Sequence, residues 1–238
     1  RICPGDRDRD PTLIDSWDYE LFLTAAEKLH AAGHPFGVAL SGGGTDTNQM
    51  LAALFSAYGA SIINEAGEIS VDSDETRSVL EYLSRLTQFM PDSVYAWDDA
   101  SNNRFIISGQ GSSTCNPPSP WAVAKRDNPV VADQLWHHDH PRGPKGRFRP
   151  VTPAFWGIWN FSQNIPAAKD LLRHVARKDV VDKMVLASQG YDIPTITSHY
   201  QSNDYWANAE PPKGVLYNYP VRGDEKQIIA GYPAPPEF

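Results

Sequence analysis

The sequence predicts an α/β fold, because short apolar strands alternate with amphipathic helices along the chain. Residues 36–40 are an apolar run bounded by Pro and Gly, which is typical of a buried strand. Three glycines at 42–44 end that strand, and the next helix places Met50 and Leu54 on one face. Apolar β-branched residues then flank a turn at 64–67, which predicts a β-hairpin.

Capping residues indicate where two further helices begin and end. Ser16 is the expected N-cap of a first helix, and Gly33 closes it. Asp72 and Glu75 form a capping-box pattern before a long amphipathic helix that stops at Pro91.

Later in the chain, two segments have clear periodicity. Residues 152–161 are apolar and aromatic and predict a buried strand. Residues 167–188 then predict one long amphipathic helix.

Composition limits the classes of partner. The chain has 238 residues, enough for one or two domains with a sizeable core. A net charge of −8 argues against nucleic acid or an anionic membrane as partner. Cys3 and Cys115 are the two cysteines, and we expect two free thiols because no spacing suggests a metal site or a disulfide framework. No apolar run is long enough to span a bilayer.

Both ends of the chain look cut. The first ten residues are charged throughout and contain no apolar segment of the kind that signal peptides have. We therefore expect residues 1–15 to be a disordered leader or a cloning remnant. The last residues are Pro-rich and follow no docked helix, which suggests a processed or truncated product.

A polar cluster at a helix start is the first candidate ligand site. Thr45, Asp46, Asn48 and Gln49 follow the glycine turn, where unpaired helix amides and short polar side chains can meet a ligand. The alternative interpretation is an ordinary capped helix.

Two other clusters invite a catalytic interpretation. Asp98 and Asp99 are adjacent, and adjacent side chains point in different directions, so helix capping is favoured over paired-carboxylate hydrolysis. His137, His138 and His140 could ligate a metal. Their spacing matches no helical two-His motif, and polar residues are expected in such a Pro/Gly loop, so we predict no metal site.

Four motifs occur in a consistent order. They are SWDYELFLTAAEKLHAAG at 16–33, the strand–polar loop–helix–hairpin of 36–71, DDASNNRFIISGQGSSTCNPPSPWAVAK at 98–125, and SQNIPAAKDLL at 162–172. Together they resemble extracellular solute-binding proteins of ABC importers, in the sugar-binding branch that includes maltose-binding protein. The sequence NPPSPW departs from the simpler Asn-Gly-Pro-Trp loop of that family.

The resemblance implies a periplasmic-binding-protein-like fold, with a mixed sheet flanked by helices. Residues 16–159 would form the core of the C-terminal lobe, 160–204 would return to the N-terminal lobe, and 205–238 would re-enter the C-terminal lobe before the chain is truncated. Most of the N-terminal lobe would be missing. The helix at 167–188 would then expose apolar residues and favour self-association; these residues are Leu171, Leu172, Val175 and Val185.

The resemblance also implies a function. The family captures a solute, here a sugar, by closing two lobes around it and delivers it to the membrane permease of an ABC importer. It implies a periplasmic or extracellular location, no cofactor and no catalysis, and the sequence offers no nucleophile–base set. Two alternatives stay open: binding of another solute such as a polyamine or a metal chelate, and a metal-dependent hydrolase using the histidines at 137, 138 and 140.

In the family, two loops meet the ligand, and on this chain they correspond to residues 45–49 and 116–121. Their polar side chains, Asn116 among them, would hydrogen-bond a neutral polyol. Aromatic rings, including Tyr217, would pack on its C–H faces. The predicted ligand-binding residues are Thr45, Asp46, Asn48, Gln49, Asn116, Ser119, Trp121, Trp156 and Trp206.

Overall fold

The structure is a computed structural model. It describes residues 16–42, 44–135, 137, 140–152, 155–188, 196, 198–199 and 226–229. These residues divide into two compact units, one ending at Thr152 and including the strand at 226–229, the other lying within 155–199. The elements of the first unit are α1 (Tyr19–Ala31), α2 (Thr45–Tyr58), α3 (Asp74–Leu86), α4 (Ser101–Ile107), α5 (Ser119–Asp127), α6 (Pro129–Ala132), β1 (Phe148–Val151) and β2 (Lys226–Ile229). Those of the second unit are α7 (Ile165–Val175) and α8 (Lys178–Ala187).

Helices α1 and α3 carry their own N-caps, one or two residues away from the predicted ones. Asp18, not Ser16, caps α1, because its extended backbone lets the carboxylate accept from the backbone N–H of Leu21 at 2.8 Å. Ser73, not Asp72, caps α3 in the same way, accepting from the N–H of Thr76 at 3.1 Å. Gly33 closes α1 with a φ of 81°, as predicted.

The segment 36–40 is buried over residues 36–39, as predicted, but it is not part of a regular sheet. Phe36 forms a single parallel bridge with Ser113. Further along, the N–H of Leu40 donates to the carbonyl of Val94, and the N–H of Ala39 donates to a side chain, Oδ1 of Asn102. The backbone groups of this segment are therefore satisfied by loops and by an amide rather than by a strand ladder.

The main core forms where α1, α2 and α3 pack around the segment 36–40. Phe22 of α1 meets the Phe36 ring edge-on at 4.9 Å between centroids. The hydroxyl of Tyr82 in α3 donates to the carbonyl of Tyr19 at 2.8 Å, which gives this buried phenol a partner. After α2, Ile63 and Ile69 form the antiparallel bridge of the predicted hairpin.

The prediction of a buried strand at 152–161 is wrong. The strand lies just before it, as β1, which pairs in parallel with β2 so that Phe148 lies opposite Lys226. Phe155 and Trp159 are 89% and 72% exposed, and no described residue pairs with this segment. An apolar run becomes a buried strand only where a partner strand and a covering layer exist, and the described part of the second unit supplies neither.

The single helix predicted at 167–188 is two helices, α7 and α8, separated at Ala176–Arg177. The second helix begins after Arg177, whose extended backbone (ψ 141°) cannot continue α7. Leu171 is 58% exposed as predicted, whereas Val185 is buried. Among the described residues, no helix combines the length and apolar character that crossing a membrane requires.

Candidate ligand-binding site

A network of polar side chains joins α2, α4 and the loop before α5. The carboxamide of Asn102 donates through Nδ2 to Oδ2 of Asp46 at 2.9 Å and to Oδ1 of Asn116 at 2.9 Å. Thr47, in the first turn of α2, donates through its hydroxyl to the carbonyl of Ala39 at 2.9 Å. Two of the predicted ligand residues, Asp46 and Asn116, are therefore held together by a third residue.

The network extends from Asn116 into α5. The two N–H groups of Asn116 Nδ2 are shared among three acceptors: the carbonyl of Pro117 at 2.9 Å, Oγ of Ser119 at 3.1 Å and Oδ1 of Asn103 at 3.2 Å. Nδ2 of Asn103 in turn donates to Oγ of Ser119 at 3.1 Å. The predicted residue Ser119 thus belongs to the same cluster.

An open cleft of about 360 Å³ lies at the N-terminus of α2. Its walls come from the turn before α2 and from the segment before α4, and the lining residues are Ser41, Gly44, Ala96, Trp97, Asp98 and Asp99. The indole of Trp97 is half-buried, packs against Phe105 at 5.0 Å between ring centroids, and donates from Nε1 to Oγ of Ser93. The cleft therefore combines carboxylate oxygens with one fixed aromatic ring.

Each carboxylate at this site has a partner. Oδ1 of Asp99 accepts from the N–H of Asp46 at 3.3 Å, so that Asp99 helps to cap α2, whose own N-cap Gly44 has no side chain to do so. Asp98 accepts from Oγ of Ser101 at 2.6 Å and from Arg104 at 2.7 Å, and these contacts lower the pKa of its exposed carboxyl. The structure thus places both aspartates beside helix starts.

The buried carboxyl of Asp46 has a raised pKa. Burial, followed by the nearby charge of Asp99, raises its pKa from 3.8 to about 6, and the hydrogen bond from Asn102 acts in the opposite direction. Near neutral pH the group is mostly ionised, so it accepts hydrogen bonds.

The other residues predicted at the first loop lie around α2. Thr45 and Asn48 are exposed on its first turn. Gln49 is half-buried, and its Nε2 donates to Oγ1 of Thr152.

The predicted role of Trp121 requires correction, because the structure places this ring in the core. Its side chain is 1% exposed on the inner face of α5, next to Pro120 and Ala124, and Nζ of Lys125 lies 5.0 Å from the ring centroid. A ligand in the cleft does not reach a ring that is so enclosed. Trp156 belongs to the second unit and is 67% exposed, while Trp206 and Tyr217 lie outside the described residues.

The histidine cluster is described only in part. His137 packs edge-on against Trp121 at 6.3 Å between ring centroids, and the carbonyl of His140 accepts from Arg147. His138 lies outside the described residues. Within the described part of the chain, no group of three metal-ligating side chains comes together.

Sequence reasoning did not single out Asn102, Asn103 or Trp97. The Asn pair was visible as part of the motif DDASNNRF, separated by two residues from the pair of aspartates, but a short helix gives no signal of which face is buried. Trp97 precedes Asp98 immediately, but a single aromatic residue before a helix is as typical of the hydrophobic core as of a ligand site.

This architecture is that of the periplasmic-binding-protein fold. Solved structures of sugar-binding ABC-transporter solute-binding proteins share it. MalE3 of T. maritima, with bound maltose, is 20% identical with a TM-score of 0.64, over 78% of this chain and 49% of that one. A solute-binding protein from Thermotoga lettingae, with bound α-D-tagatose, is 17% identical with a TM-score of 0.65, over 79% and 48%.

A third neighbour is the GacH receptor of Streptomyces glaucescens, solved unliganded and with acarbose. It is 17% identical with a TM-score of 0.62, over 90% of this chain and 54% of that one. The chain thus spans about half the length of these proteins. No protein-family model matches the chain, and neither does any curated protein.

Proposed function

We propose that this chain is the ligand-binding part of a solute-binding protein that captures a carbohydrate for uptake through an ABC importer. The observation that carries the proposal is the cleft at the start of α2, where an aromatic ring and partnered carboxylates lie beside the polar network of Asp46, Asn102 and Asn116. A sugar needs fixed hydrogen-bond partners for its hydroxyls and a flat apolar surface for its C–H groups. Trp97 supplies the second requirement, and Asp98 and Asp99 supply the first.

The partners of the carboxylates favour a neutral ligand over a polyamine. Asp98 is paired with Arg104, Asp99 with a helix amide, and Asp46 with Asn102. A cationic ligand gains most binding energy from carboxylates that have no other partner. A polyol can instead donate its hydroxyl protons to the lone pairs that remain free on carboxylates already paired. The fold neighbours with bound maltose, tagatose and acarbose support the same choice.

The wider assignment also rests on the fold. Binding proteins of this kind close two lobes around the ligand by a hinge motion, and we propose that this chain supplies mainly one lobe, with 160–204 as its crossing segment. On this proposal the protein is not an enzyme, works outside the cytoplasmic membrane and docks on a permease. The exposed apolar residues of α7 and α8 would let the isolated chain self-associate.

A thermal-shift screen tests the ligand class. Maltose, tagatose, acarbose and spermidine are added in turn to the 238-residue chain and to the full-length natural protein, and the hits are measured by calorimetry. We expect a sugar, and not spermidine, to raise the melting temperature of the full-length protein. A spermidine shift without any sugar shift would replace the sugar by a polyamine, and no shift at all would overturn the proposal.

A matched pair of variants locates the site. Trp97→Ala removes the ring that lines the cleft, whereas Tyr95→Ala removes an exposed ring that is two residues away and does not line it. We expect the sugar-induced shift to be lost in Trp97→Ala and kept in Tyr95→Ala. Equal shifts in both variants would place the ligand elsewhere.

A further inference from the structure

Asn102 is the most enclosed polar residue of the candidate site. Its side chain is 0% exposed, and it lies in the first turn of α4. A buried carboxamide is stable only if its donors and its acceptor are used. Here Oδ1 accepts from the N–H of Ala39 at 2.8 Å, and the two N–H groups of Nδ2 donate to Asp46 and Asn116.

These three contacts come from three parts of the chain. Ala39 lies in the buried segment 36–40, Asp46 in the first turn of α2, and Asn116 in the loop before α5. In sequence they are 63, 56 and 14 residues away from Asn102. The two segments for which the sequence predicts ligand contacts, 45–49 and 116–121, are therefore attached to one side chain.

The direction of the hydrogen bonds is fixed by backbone groups at both ends of the network. The N–H of Ala39 can only donate, so Oδ1 of Asn102 must face it and Nδ2 must face Asp46 and Asn116. At the other end, the carbonyl of Pro117 can only accept, so Nδ2 of Asn116 must face it and Oδ1 must face Asn102. The network has one consistent arrangement of donors and acceptors.

We propose that Asn102 is the positioning residue of this site, whose carboxamide sets the orientation of the Asp46 carboxylate and the Asn116 carboxamide against the backbone of segment 36–40. This inference rests on the proposed function for its effect on sugar binding, but the geometry stands independently of it. A leucine at position 102 has a similar size but makes no hydrogen bond. An aspartate there has only acceptor oxygens, whereas Asp46 and Asn116 both need a donor.

The titration of Asp46 reports on the contact directly. The groups that act on this carboxyl are Asp99, which raises its pKa, and Asn102, whose donated hydrogen bond lowers it. The Cys115 thiol also lies near the carboxylate, and its own pKa is raised by burial and by Asp46. Removing the Asn102 donor leaves the other two groups in place, so the pKa of Asp46 should rise.

The first experiment compares Asn102→Leu with Asn128→Leu. Asn128 is a matched control, because its carboxamide is also hydrogen-bonded, donating to the backbone carbonyl of Ile107, but takes no part in the network. We measure the pKa of Asp46 by NMR titration of its carboxyl carbon, and maltose affinity by calorimetry on the full-length protein. We expect Asn102→Leu to raise the pKa of Asp46 and to weaken maltose binding about tenfold. Asn128→Leu should change neither quantity, even if it lowers the melting temperature.

Two further measurements keep the test decisive if Asn102→Leu does not fold. Asn102→Ser retains a small polar group that cannot reach all three partners, and it should raise the pKa of Asp46 as well. In the wild type, the two side-chain N–H protons of Asn102 should exchange slowly with solvent because both are donated in a buried site. Fast exchange, or a pKa of Asp46 that is unchanged in the Leu or Ser variant, overturns the positioning role. Absence of sugar binding by the wild type, with the pKa effect intact, would instead overturn the proposed function.

Discussion

Replacing Asp46 with asparagine should make the folded protein more stable at pH 8. The pKa of this carboxyl is raised to about 6 by burial first and by Asp99 second. Since the folded state holds the proton more tightly than the unfolded chain does, ionisation of Asp46 costs folding free energy. The cost is absent below about pH 4, grows as the pH rises toward 6, and is complete above that.

The magnitude follows from the size of the shift. A pKa of about 6 against the ordinary value of 3.8 corresponds to ~3 kcal/mol of unfolding free energy, which contact with solvent at the neighbouring cleft reduces to about 2 kcal/mol. Asparagine has the same shape, and its Oδ1 can still accept from Asn102. For a chain of this size we expect Asp46→Asn to raise the melting temperature by about 4–8 °C at pH 8.

The assay is denaturant unfolding of both proteins between pH 4 and pH 8, with Asp98→Asn as control. Asp98 is exposed and its pKa is lowered from 3.8, so its neutralisation should reduce stability throughout this pH range, because the contribution of the ionised form is lost only below that value. The Asp46→Asn variant should gain stability relative to the wild type as the pH rises. Parallel pH profiles for wild type and Asp46→Asn would refute the reasoning.

Four other predictions follow from the same geometry. Trp121→Ala should lower the unfolding free energy by about 3–5 kcal/mol without changing sugar affinity; weaker binding at unchanged stability would contradict the core position. At pH 8, Asp46→Ala should weaken sugar binding by about 1.5–3 kcal/mol and Gln49→Ala by about 0.5–1.5, and calorimetry with the reverse order would contradict a contact of ionised Asp46 with the ligand. Gly143→Ala should cost about 1–3 kcal/mol of stability, because its Cβ would lie 2.5 Å from a carbonyl oxygen of α2, whereas Gly42→Ala meets open space and should cost little in the same melting experiment. Finally, calorimetry should show that the 238-residue chain binds its sugar far more weakly than the full-length protein, and equal affinities would count against two-lobe closure.

Local chemistry decided which parts of the fold were predictable. The ends of α1 and α2 at Gly33 and Gly59 follow from the positive φ that glycine adopts cheaply, 81° and 83° here. The hairpin at Ile63–Ile69 was predictable for the same reason, since its turn contains Gly67. The glycine signals were therefore read correctly from sequence, whereas the N-caps of α1 and α3 were predicted one or two residues too early.

Long-range partners decided the rest. The aromatic run 155–161 has the composition of a buried strand, but composition does not say whether a partner strand is present. Likewise, the periodicity of α5 shows that Trp121 shares a helix face with Lys125. It does not show whether that face contacts a ligand or packs in the core. Asn102 escaped notice because its role depends on contacts up to 63 residues away.

The N-terminus of α2 has a consequence for the order in which the chain folds. Helices α1 and α3 contain their own capping side chains within three residues, so both can begin to form from local sequence alone. Helix α2 starts at a glycine and receives its side-chain acceptor from Asp99, 53 residues further along. Closing so long a loop costs entropy before the contact is gained. We therefore expect the first turn of α2, and with it the cleft, to be among the last parts of the first unit to become ordered.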